Sequence, residues 1–164
     1  MKKFIAIVLM LATIPTIGQS VPTNEPNLIN PIIQNWIHDA TIHGVDISRL
    51  KTIKAINVIP TIKEMEAGAD WSPADGEIRI ARDKLHLTDG IISLEDLQIK
   101  LYHEIGHHYG VRDCYVCKYH VMSGNANLRR VYLYKDIFLK TWIDDEYFKA
   151  LKDAKSHNQN HPHR

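Results

Sequence analysis

Basic side chains are not in excess: 20 Lys and Arg stand against 19 Asp and Glu in 164 residues. Without Lys2 and Lys3 the balance is 18 against 19. A nucleic-acid binder needs a basic footprint, so that class is not expected as a partner. After residue 20 no run is long and apolar enough to cross a bilayer, and a stable membrane anchor is not expected. Internal repeats and long linkers are missing too. Cysteine is scarce: Cys114 and Cys117 are the only two. Neither follows the apolar N-terminal run, which argues against a lipid-modified N-terminus.

What the chain does have begins with that run. Lys2 and Lys3 precede the almost wholly apolar stretch Phe4 to Ile17, and Gly18 and Ser20 supply small residues before Val21. This pattern predicts a secretory signal peptide over residues 1–20 and an exported, periplasmic or extracellular protein. Residues 21–156 are then long enough for one domain with a core of its own. Residues 157–164 read as a polar tail. In an oxidising compartment a disulfide is the default for Cys114 and Cys117. The alternative is a Cys114, Cys117 and His120 metal cluster, for which nothing nearby supplies a fourth ligand.

Periodicity sets out the elements. Val21 to Pro26 reads as an extended leader. From Asn27 to about His43, Ile29, Ile32, Ile33, Trp36, Ile37 and Ile42 recur at helical spacing, and Gly44 is a stop. Thr52 to Ile59 reads as a strand closed by Pro60. Ala67 to Ala74 reads as a loop around Trp71, Asp75-Gly76 as a turn, and Glu77 to Arg82 as an alternating strand. Ser93 to Asp96 spells a capping box that opens a helix to about Tyr109, and Gly110 ends it. On that helix Leu94, Leu97, Leu101, Ile105 and His108 share one side, while Asp96, Lys100, His103, Glu104 and His107 share the other. A last helix is expected over about Arg130 to Lys155, with Val131, Tyr134, Phe138, Trp142, Phe148 and Leu151 as buried positions. The fold class is therefore α+β: a small mixed sheet with an N-terminal, a site-bearing and a C-terminal helix.

The chemistry concentrates in "LYHEIGHHYGVRDC", residues 101–114. Two histidines four apart on a helix present their rings one turn above the other, the spacing two imidazoles need to reach one zinc ion. Because His103 and His107 lie off the apolar stripe, they are candidate ligands, whereas His108 fits a core histidine. Glu104 is turned too far round to be a ligand but is placed to take a proton from water at the metal. A third protein ligand is required. Asp113 is the favoured candidate, since Gly110 can reverse the chain; His120 and Glu146 are the alternatives. Met122 on its own is as readily a core filler.

With these residues in view, H-E-x-x-H-x-x-G-x-x-D followed by Met122 in "HVMSG" resembles the metzincin clan of zinc endopeptidases. The third position is usually His in that clan, and Asp there is similar to the snapalysin-type members. The resemblance implies that Met122 forms a turn beneath the metal. A cysteine directly after the third-ligand position is similar to the archaemetzincins, although no downstream cysteine pair exists here to build their second zinc site. Two further departures are the nine residues from Asp113 to Met122 and Gly124 at a position where the clan often has Tyr. No cysteine lies between Val21 and Asn27, so thiol-based latency is not expected.

The resemblance implies a metzincin-like zincin fold with one zinc ion per chain, acting on an extended peptide or protein substrate bound antiparallel to an edge strand. Glu77 to Arg82 is the candidate for that strand. The expected reaction is endopeptidase hydrolysis with Glu104 as proton carrier, in a monomer. The rival expectation is a non-catalytic exported binding protein that keeps zinc as a structural staple.

Overall fold

Proline at the first helical position starts α1, Pro26–Ile42, because that residue's missing N–H would go unpaired there in any case. A computed structural model describes residues 20–62, 68–88, 91–114, 121–123 and 145–154. Ile29, Ile32, Ile33, Trp36, Ile37 and Ala40 bury one stripe of α1, whereas Ile42, expected in that stripe, is exposed. The helix closes with a Schellman turn. Gly44 takes φ 71°, its N–H donates to Thr41 O, and the Val45 N–H reaches back to Ala40 O.

The expected strand from Thr52 is shorter than its composition suggests. Ile47–Thr52 winds as a 3-10 turn, with Asp46 capping Ser48 N, and β1 is Ala55–Ile59. The stretch around Trp71, expected to be a loop, contains β2, Ala69–Ser72, and β3 is Glu77–Ala81. The sheet order is β1-β3-β2. β1 pairs parallel to β3 in the register Ile56 to Ile78 and Val58 to Ile80, and β2 pairs antiparallel in the register Trp71 to Ile78. Alternation turns Ile56, Val58, Ile78, Ile80 and Ala69 into the core. On the opposite face Arg79 pairs with the buried carboxylate of Asp70 across the β2–β3 ladder.

This order corrects the assignment of the edge strand. Glu77 to Arg82 supplies the central strand, hydrogen-bonded on both sides, and so offers no free edge. An alternating strand looks the same from sequence whether it is central or peripheral. The two edges are β1 and β2, and the leader covers the first. Thr23 bridges to Ile56, Ile56 N–H donates to Pro22 O, and the Asn24 side chain pairs with both Val58 N and Val58 O. A covered edge is protected from pairing with other chains. Among the described residues no strand pairs with the outer side of β2.

A two-strand hairpin, β4 (Leu87–Thr88) and β5 (Ile91–Ile92), leads into α2, Leu94–His108. Ser93 Oγ caps Asp96 N, but the reciprocal half of the expected capping box is not made. The Asp96 carboxylate accepts instead from His86 N and Lys100 Nζ, and the Ser93 N–H donates to His86 O. Helix α2 packs against β2, β3 and α1. Residues 145–154 are helical and are called α3. Phe148 and Leu151 are buried there as expected, along with Tyr147; the four other apolar positions expected in this helix lie outside the described residues.

An aromatic knot joins the three helices: Trp36 Nε1 donates to Tyr147 OH at 3.0 Å, and Tyr147 OH donates to Tyr102 O at 2.6 Å. At its rim His43 stacks on Phe148 and reaches Asp145 at 2.7 Å. Burial opposes the charge on His43, but the Asp145 carboxylate and the Asp39 carbonyl outweigh it and raise its pKa above the ordinary value. No helix among the described residues is long and apolar enough to cross a membrane. The expected signal segment through residue 19 and the expected tail lie outside the described residues.

Candidate metal centre

The site is built at the end of α2, and the way that helix stops is what assembles it. Gly110 takes φ 88°, a conformation costly for any residue with a Cβ. Gly110 N–H donates to His107 O and Val111 N–H to Gly106 O, a second Schellman turn. The reversal sends the chain back along the helix. It places Val111 O 2.9 Å from His107 Nδ1, and Asp113 beside both imidazoles.

The second wall is the short segment Val121 to Ser123. Cys114 N–H donates to Met122 O at 2.8 Å, and Cys114 bridges to Ser123. This brings Val121 O to 2.8 Å from His103 Nδ1. A carbonyl oxygen can only accept, so each histidine carries its ring proton on Nδ1 and turns an Nε2 lone pair inward. The two Nε2 atoms are 3.0 Å apart. Asp113 Oδ1 lies 3.2 Å from the first and 3.6 Å from the second. That oxygen is buried and has no hydrogen-bond partner among the described residues.

Three acceptors therefore converge, an arrangement that repels itself unless a cation neutralises it. Four ligands held tetrahedrally at 2.0–2.1 Å lie about 3.4 Å from one another. The three observed separations bracket that value. His103, His107 and Asp113 can hold a metal ion, and they are the group among the described residues with that capacity.

No family model, curated protein or solved structure matches this chain. The donor atoms themselves carry the assignment of the centre.

The other expected site residues fall into varied places. Glu104, next to His103, is only 4% exposed, and so is His103. The side of α2 expected to be polar is thus enclosed, whereas Leu94, expected in the apolar stripe, is exposed. His108 is half-buried against Trp71, and its Nε2 lies 2.9 Å from Arg49 O. Burial pushes its pKa below the ordinary histidine value. Cys114 is disulfide-bonded. Cys117 and His120 lie outside the described residues, so the alternative third ligand His120 is not placed. Glu146, the other alternative, is exposed on α3 and is not part of the cluster.

Met122 is fully buried beneath α2 and packs on Gly106. The ligand motif leaves Gly106 unremarked, although a glycine inside a helix is a signal of close approach. A Cβ there would fall far inside the contact distance of Met122 Sδ and 2.9 Å from its Cε. Ala is favoured over Gly in a helix by about 1 kcal/mol. The overlap outweighs that gain, and Gly106→Ala is expected to destabilise the fold by a net of about 1–3 kcal/mol. Denaturant midpoints test this. Met122→Ala in the same chain should relieve much of the Gly106→Ala penalty, and strictly additive losses would show that the two do not meet.

Proposed function

We propose that this chain is an exported zinc metallopeptidase of metzincin type. The observation that carries the reading is the convergence of His103 Nε2, His107 Nε2 and Asp113 Oδ1, with both ring tautomers fixed by main-chain carbonyls and Glu104 one residue from the first ligand. Two imidazoles and a carboxylate form a donor set that suits zinc and leaves a fourth position for a reactant. Zinc bound there would polarise a peptide carbonyl and make water acidic enough to react near neutral pH.

The chain's own residues supply the remaining steps. Glu104 takes the proton of the attacking water as its oxygen bonds to the scissile carbonyl carbon. It returns that proton to the leaving amine as the C–N bond breaks. Burial of Glu104 keeps bulk water from competing for the proton. Asp113 adds negative charge beside the metal and so moderates its electrophilicity relative to a three-histidine site.

Substrate would lie along the outer edge of β2 as an added strand. Gly68, just before β2, packs against the Lys100 side chain, and Trp71 packs against His108. The edge therefore runs beside the part of α2 that carries His103, Glu104 and His107. Export accords with the disulfide at Cys114, since such bonds persist in oxidising compartments.

Protein lacking residues 1–20 and loaded with zinc should cleave members of a mixed peptide library, as read by mass spectrometry of new termini. A chelator should stop the cleavage and added zinc should restore it. A zinc-loaded chain that leaves every peptide intact would favour a structural role for the metal.

A further inference from the structure

The end of α2 is clamped from outside by a residue that neither the ligand motif nor the proton carrier accounts for. Arg49, in the 3-10 turn Ile47–Thr52, donates from Nη2 to His108 O at 2.8 Å and from Nη1 to Tyr109 O at 3.1 Å. Its guanidinium also lies over the Tyr109 ring, 4.6 Å from the centroid. The contact is mutual. Tyr109 OH donates to Asp46 O at 2.8 Å, and His108 Nε2 and Thr52 Oγ1 both bond to Arg49 O.

The carbonyls that Arg49 holds are the two left over by the helix end. Ile105 O, Gly106 O and His107 O are taken by the N–H groups of Tyr109, Val111 and Gly110. His108 O and Tyr109 O come next in the chain, directly before the φ 88° reversal at Gly110. Beyond the reversal the chain enters the metal centre: Val111 O orients His107, and Asp113 then turns its Oδ1 toward both imidazoles. A helix C-terminus with loose carbonyls frays within its last turn. Here that turn holds His107.

We propose that Arg49 is a positioning residue for the metal centre. By fixing the last two carbonyls of α2 it sets the exit direction of the chain, and so the placement of Val111 O against His107 and of Asp113 against the ion. The forked guanidinium matters as well as the charge, because two carbonyls one residue apart are held by parallel donors that an ammonium group does not supply. A positive charge alone would improve the helix dipole without setting the direction of the turn.

This proposal rests on the metal reading of His103, His107 and Asp113, and the experiment separates the two. Metal-free protein lacking residues 1–20 is titrated with Co2+, whose visible absorption reports the number and geometry of its ligands. Arg49→Ala should bind Co2+ about 10–100-fold more weakly than the parent, as loss of an outer-shell support does elsewhere. Its absorption should lose the intensity of a low-coordinate site as Asp113 drifts away. Arg49→Lys keeps the charge, and its affinity and spectrum should resemble those of Arg49→Ala more than the parent's. A merely structural role would lower the melting temperature of the metal-free chain but leave the absorption of the Co2+-saturated protein unchanged. Parent-like affinity and spectrum in either variant, once circular dichroism shows it folded, overturn the proposal; Arg49→Lys suffices if Arg49→Ala does not fold. A parent chain with no Co2+ spectrum overturns the metal reading itself.

Discussion

Glu104→Gln should leave a folded chain that still binds zinc and has lost nearly all peptide cleavage, by about 10²–10⁴-fold in kcat. The amide has the size and shape of the carboxyl group, so the enclosed position beside His103 stays filled. It cannot take up a proton from water or return one to the leaving amine. Because Glu104 is not one of the three converging donors, zinc affinity should change little. Two measurements on one preparation decide the matter: zinc content after dialysis, and the rate of cleavage of the best library peptide. Full zinc with the rate unchanged would take the proton-carrying role away from Glu104. Loss of zinc along with the rate would make it a support of the site rather than a participant in the chemistry.

How far the sequence foretold this arrangement depends on how local the cause was. Helix α2 was legible at both ends because its signals are short-range: Ser93 caps the start, and Gly110 supplies the positive φ at the end. His103 and His107 share a face by helical spacing alone, and the glycine three residues later made a return of Asp113 geometrically reasonable. The α+β class likewise followed from the periodicity of α1, β3 and α2.

The misses were of tertiary origin. Strand β2 has four residues, and its Asp70 is buried only because Arg79 on the neighbouring strand pairs with it, so nothing within Ala69–Ser72 announces a strand. That β3 is central comes from where β1 and β2 dock, which alternation does not encode. Burial of His103 and Glu104 is a tertiary effect: Val121, eighteen residues beyond His103 in the chain, returns to place its carbonyl against that ring. The groups that fix the tautomers, Val111 O and Val121 O, are main-chain atoms and carry no residue-type signal. Arg49 was silent for a related reason: it acts on carbonyls, which every residue has.

Asp113→Ala is expected to weaken zinc binding by more than about 100-fold, beyond what loss of an outer-shell partner costs. Two imidazoles and solvent remain, and the charge that balances the ion is gone. Competition with a chromogenic chelator measures the change. Since the Asp113 Oδ1 is a buried acceptor without a hydrogen-bond partner among the described residues, its removal also relieves repulsion in the metal-free chain. The metal-free Asp113→Ala protein should therefore melt no lower than the metal-free parent, while the stabilisation added by zinc shrinks. Asp113→His should keep zinc, because a third imidazole is a competent ligand. Gly110→Val should reproduce the affinity loss without touching a donor atom, because a β-branched residue resists φ 88° and the chain then leaves α2 in another direction. Parent-like zinc affinity in Asp113→Ala, with the loss appearing instead in His120→Ala, would transfer the third ligand to His120.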